Sequence, residues 1–70
     1  MRQFSPLERA YLNAVFHHHR DNSSTDHDSA VSKAVFGLIK ANDYTMAAIK
    51  AGESPVTYQL FCAAVDAAGV

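Results

Sequence analysis

Seventy residues make one domain at most, 1–70, and a chain this short buries only about 60% of its unfolded surface. The single cysteine, Cys62, excludes an internal disulfide, so good helix packing, a metal or a partner subunit must supply what a small core does not. Six Lys/Arg stand against seven Asp/Glu for a net charge of −1, and the six are scattered. A free-standing nucleic-acid binder generally carries a basic excess, because phosphate neutralisation supplies most of its non-specific affinity.

The composition is globular, at 49% hydrophobic and 19% charged, and twelve alanines favour helices that approach closely. In chain order, Met1-Arg2-Gln3 is followed by no apolar run before Ser5-Pro6, so no secretory signal is expected. Ser5-Pro6-Leu7-Glu8 then supplies an N-cap serine, a proline at the first helical position and a glutamate three residues on. With Leu7, Tyr11, Leu12, Val15 and Phe16 at helical spacing, this predicts helix 1 over 6–20. Asp21-Asn22-Ser23-Ser24-Thr25 is a polar loop. Its Asn22-Ser23-Ser24 fits a glycosylation pattern, read as chance without a secretory signal.

Thr25 with Asp28 gives a weaker capping pattern, and Ala30, Val31, Ala34, Val35, Leu38 and Ile39 form the cleanest apolar stripe of the chain. Helix 2 is expected over 26–41, ending at Asn42-Asp43. Thr45 is the expected cap of a short helix 3 that runs through Ala51 and stops at Gly52. Ser54-Pro55 repeats the serine-proline start, and helix 4 is expected over 55–68, stopped by Gly69. Nothing reads as a strand, and no run approaches the roughly 18 apolar residues of a membrane span. The reading is an all-α domain of four helices, cytoplasmic and without membrane contact.

Residues 45–62 carry a spaced pattern: Ala48 where two helices would cross, Gly52 able to take a left-handed turn, Ser54 as the next cap and Thr57 in the following first turn. This pattern resembles the two-helix core of bacterial helix-turn-helix proteins of the small-repressor kind. The resemblance implies a C-terminal helix-turn-helix-like hairpin, with helix 2 supporting it. One position departs from the family: Glu53 follows the turn glycine, where an aliphatic residue is usual. The resemblance also implies major-groove reading by a dimer, with Pro55, Val56, Gln59 and Leu60 towards base edges. Phosphate contacts would then fall to Lys40, Lys50 and the Ser54 and Thr57 hydroxyls. Of the base-reading positions only Gln59 has a bidentate group, and helix 4 carries Asp66 and no cation.

Helix 4 has a second possible use. Tyr58, Phe61, Cys62 and Val65 fall on the side expected to face the hairpin core. Val56, Leu60, Ala63, Ala64 and Ala67 lie on another side, interrupted only by Gln59 and Asp66. A helix apolar nearly all round is covered on both sides, here either by helix 1 or by another chain. The leading expectation is therefore a non-catalytic regulatory or inhibitory protein that binds protein through Val56, Gln59, Leu60, Ala63, Ala64 and Ala67, and self-associates as a homodimer. DNA binding through Lys50, Ser54, Pro55, Val56, Thr57 and Gln59 is the alternative. Small size and missing catalytic apparatus are also common among phage-borne inhibitors, an association only.

Other chemistry has less to stand on. His17, His18 and His19 point about 100° apart on a helix, so one metal cannot take all three. His17 with Asp21 and His27 or Asp28 is an open zinc alternative to simple helix-dipole pairing of His and Arg at one terminus and Asp26 and Asp28 at the other. The expectation is no metal and no cofactor. Neither a nucleophile elbow, a phosphate loop nor a paired-carboxylate spacing appears, and a chain this small has little room for a pocket of about 300 Å³. No enzyme is expected. Phe4, Phe16, Phe36 and Phe61 are core by default, Phe36 being the one off its helix's stripe. Tyr44 is placed in the loop before helix 3.

Overall fold

Each helix with a described start begins at a side chain able to replace a missing carbonyl. In the computed structural model, which describes residues 4–21 and 26–69, all regular structure is helical. The elements are α1 (Pro6–Asp21), α2 (Asp26–Lys40), α3 (Tyr44–Ala51) and α4 (Pro55–Ala68). The Thr25 cap, the 22–25 loop and Met1-Arg2-Gln3 lie outside the described residues.

At α1 the capping box forms reciprocally: Glu8 N donates to Ser5 Oγ at 3.2 Å and Ser5 N to Glu8 Oε1 at 3.1 Å. At α4 the Ser54 side chain accepts from Thr57 N, and Gly69 closes the helix at φ 72°. Two expected punctuation marks are displaced. The cap of α3 is Asp43, whose carboxylate accepts from Met46 N at 3.2 Å, and not Thr45. Between α2 and α4 the left-handed residue is Asn42 at φ 61°, and not Gly52, which sits in the right-handed region at φ −63°.

Asn42 closes α2 in a Schellman arrangement, with Asp43 N donating to Leu38 O and Asn42 N to Ile39 O, both at 2.9 Å. That turn delivers Asp43 straight into the α3 cap position, so α2 and α3 share one short connection. After α3 the chain keeps winding. Glu53 N donates to Lys50 O and Ser54 N to Ala51 O, so the turn to α4 is tight and right-handed throughout.

The core takes Leu7 and Tyr11 from α1, Val31, Val35 and Ile39 from α2, Ala47 and Ala51 from α3, and Phe61 and Ala64 from α4. Contact is most extensive between α1 and α4 and between α2 and α3, where Ala47 and Ala51 lie one turn apart. The α1–α2 seam is thinner. These two helices run antiparallel: Phe4 meets Phe36 at 6.3 Å between ring centroids, while Tyr11 reaches Ser32.

Several expectations about the core are overturned, and Phe4, expected inside, is 44% exposed. Phe16 is 63% exposed, because it lies about 140° around α1 from Tyr11 at 100° per residue. Tyr58 and Cys62, expected inside, are exposed, and Thr57 is wholly buried in their place. Helix α4 is turned to set Thr57, Phe61 and Ala64 inward, with Phe61 edge-on to Tyr11 at 6.5 Å. Phe36 is half-buried against the core, with the Lys40 ammonium 5.5 Å above its ring.

Candidate functional site

The hydroxyls of the α4 start lie inside the molecule. Ser54 and Thr57 are both at 0% exposure, and each is used twice. Ser54 Oγ caps Thr57 N at 3.3 Å and donates to Asp28 Oδ1 at 2.6 Å. Thr57 Oγ1 donates to the Asp28 carbonyl at 3.4 Å and meets Ser32 Oγ at 3.4 Å. Tyr11, from the opposite side of the core, donates its hydroxyl to Ser32 Oγ at 3.2 Å.

The result is a chain of three hydroxyls, Tyr11–Ser32–Thr57, that joins α1, α2 and α4 and ends on the Asp28 backbone carbonyl, while the Asp28 carboxylate separately takes Ser54. The hydroxyl–hydroxyl contacts are long for O–H···O bonds, whereas the Ser54–Asp28 bond is short and charge-assisted. Asp28 therefore does for α4 what a bound anion would do, placing negative charge at the positive end of the helix dipole. Loss of water around the buried phenol pushes Tyr11 above its ordinary value of 10.0, and the Ser32 hydrogen bond offsets part of that rise.

Of the six positions proposed for DNA contact, two are buried and a third is ion-paired. Ser54 and Thr57 have no surface to offer a phosphate, and Lys50 Nζ is 3.1 Å from Glu53 Oε1. Pro55 and Gln59 remain exposed, and Val56 is half-buried. The protein-binding stripe is also redrawn. Ala64 is core at 1% exposure and Leu60 is half-buried against the core, and α4 packs extensively on α1. Gln59, Ala63 and Ala67 stay exposed beside Tyr58 and Cys62.

Exposed apolar bulk sits elsewhere on the same hairpin. Ile49 is 61% exposed, Tyr58 48% and Met46 46%, and Tyr44 is 39% exposed, donating its hydroxyl to Asn42 Oδ1. Sequence reading missed Met46 and Ile49 altogether. The available signal was the shortness of α3: eight residues with Ala47 and Ala51 inward leave the other large side chains facing out.

The candidate ligands Asp21, His27 and Asp28 each have other partners. Asp21 pairs with Arg20 at 3.0 Å, and His27 Nε2 donates to the Glu53 carbonyl at 3.1 Å while Asp28 takes Ser54. Among the described residues no three His, Cys, Asp or Glu side chains group to hold an ion. The fold does have more room than its length suggests: a groove of about 370 Å³ lies between α1 and α2. No described helix is long and apolar enough to cross a membrane. No protein-family model, no curated protein and no solved structure matches the chain.

Proposed function

We propose that the chain is a small non-catalytic regulatory or inhibitory module that binds protein through the outer side of the α3–α4 hairpin and self-associates through it. The observation that carries this reading is the concentration of large apolar side chains there. Among the described residues, four of the seven exposed large hydrophobics, Tyr44, Met46, Ile49 and Tyr58, fall within this one short segment. Single exposed apolar residues are ordinary, whereas groups of them mark contact surfaces.

Helix 4 keeps a part in this reading through Tyr58, Gln59, Ala63 and Ala67, which replace the Leu60-centred stripe. Major-groove reading by a helix-turn-helix dimer is the weaker alternative. It would need phosphate contacts from a helix whose first-turn hydroxyls are buried and whose positive end already faces Asp28.

Light scattering after size exclusion tests the proposal on wild type and Ile49→Asp, with circular dichroism on both. The expected result is a dimer for the wild type and a folded monomer for the variant. Association should change little between low and high salt, as an apolar contact does and a phosphate contact does not. A wild type that shifts duplex DNA at physiological salt, with Ile49→Asp associating and shifting it equally well, would replace this reading with the alternative.

A further inference from the structure

The α1–α2 groove is separate from the hairpin face, and its chemistry is graded from one end to the other. Its walls are Leu12, Val15 and Phe36, and its floor is formed by Tyr11 and Ser32. His19, Ser29 and Lys33 complete the lining. Because the helices run antiparallel, with Phe4 opposite Phe36 and Tyr11 opposite Ser32, His19 and Ser29 fall together at one end. Leu12 and Phe36 fall at the other, and Lys33 stands between the two ends.

Charge in the groove has one sign. Among the described residues Lys33 is its only permanent charge, no Asp or Glu lines it, and Lys33 has no carboxylate partner. The neighbouring hollow on α1, which shares Leu12, adds Arg9 and again no acid. For a chain of net charge −1, a described lining with Lys33 and no carboxylate is a local reversal.

We infer that this groove is a binding site for a small amphipathic carboxylate, with its apolar chain along Leu12, Val15 and Phe36 and its head on Lys33 and the His19–Ser29 end. A volume of about 370 Å³ is in the range of small-molecule sites. The groove follows α1 for only residues 11–19, roughly 12 Å at 1.5 Å per residue. That length suits a saturated acid of medium chain length and is short for a docked protein helix, whose interface would need about 800 Å² from this partner. The thin α1–α2 seam leaves Val15 and Phe36 half-covered, so a bound chain would bury apolar surface the fold itself leaves open.

The test is a titration of the isotope-labelled protein with sodium octanoate, read by amide and methyl chemical shifts, with octanol as the uncharged comparison. The expected result is saturable binding with Kd on the order of a millimolar or below. Shifts should be largest at Leu12, Val15, Ser29 and Lys33. Lys33→Gln should weaken octanoate roughly tenfold and leave octanol unchanged, since only the acid gains the charge-assisted contact. Leu12→Gln, on the exposed wall, should weaken both ligands.

Equal binding of acid and alcohol, indifferent to Lys33→Gln, would overturn the inference. So would shifts centred on Ile49 and Tyr58, or no saturation at several millimolar octanoate. An acidic amphipathic peptide that shifts the groove residues while octanoate does not would overturn it in favour of a protein ligand. None of these outcomes depends on whether the hairpin face self-associates.

Discussion

The start of α4 and the outer side of the α3–α4 hairpin belong to one short segment and reverse the usual distribution of side chains. Two hydroxyls at the start are fully buried, while Ile49 and Tyr58 nearby are about half in solvent. The difference lies in partners. Ser54 and Thr57 are buried because Asp28 and Ser32 satisfy them, and a satisfied hydroxyl costs little to bury. Ile49 and Tyr58 are exposed because none of the four described helices covers them. Residue polarity alone would have exchanged the two groups.

The comparison breaks most visibly at Ser54. Ser54→Ala removes the α4 cap and the charge-assisted bond to Asp28 together, and should cost about 2 kcal/mol. In a domain of this size that lowers Tm by roughly 10 °C in a calorimetric or dichroism melt. Ile49→Asp, on the exposed side, should leave Tm within a few degrees while abolishing association. If Ser54→Ala melts like wild type, the Asp28–Ser54 contact contributes nothing and α4 is free to take an external anion.

Tyr11 sharpens the same point through pH. Its phenol is raised because burial disfavours the phenolate, so the folded state must keep it protonated. Below about pH 10 the phenol is neutral in both states and its contribution is complete. As pH rises beyond that, the unfolded chain releases the proton first, and stability falls until the folded value is passed. Tyr11→Phe should cost about 1 kcal/mol at neutral pH by losing the bond to Ser32. In return it should flatten the alkaline loss of stability, and urea titrations at neutral pH and above pH 10 compare the two. An equal alkaline loss in both proteins would mean that Tyr11 is not its source.

How much of this was legible depended on how local each cause is. Helix limits were readable within a residue or two because caps act across three positions: the Ser5–Glu8 box, the Ser54–Thr57 cap and Gly69 are all contained in short strings. The rotation of α4 was not readable. A helix of Val, Leu, Phe and Ala nearly all round gives no strong preferred face. The deciding residue was Thr57, whose partners Asp28 and Ser32 lie 29 and 25 positions away. The α1–α2 groove was missed for a related reason, since it comes from where two distant stripes fail to meet rather than from any motif.

The smallest effects test a substitution of roles that sequence alone gets backwards. A glycine after a helix is the usual left-handed residue, yet here Asn42 takes that conformation and Gly52 does not. A β-carbon is strained at φ 61°, and Asn tolerates it better than most side chains, partly through local hydrogen bonds such as the one Tyr44 donates. Asn42→Ala should therefore cost about 1 kcal/mol, and Asn42→Gly close to nothing. Gly52→Ala meets opposing terms. Fixing a residue already at φ −63° stabilises by about 0.5 kcal/mol through the unfolded chain, whereas the new carbon would stand 3.3 Å from Ile49 O. The carbonyl must yield by a few tenths of an ångström, so the net change should stay within about 0.5 kcal/mol of zero. Urea midpoints of the three variants rank these effects, and a Gly52→Ala loss larger than the Asn42→Ala loss would mean that the left-handed turn sits after α3, where the helix-turn-helix resemblance puts it.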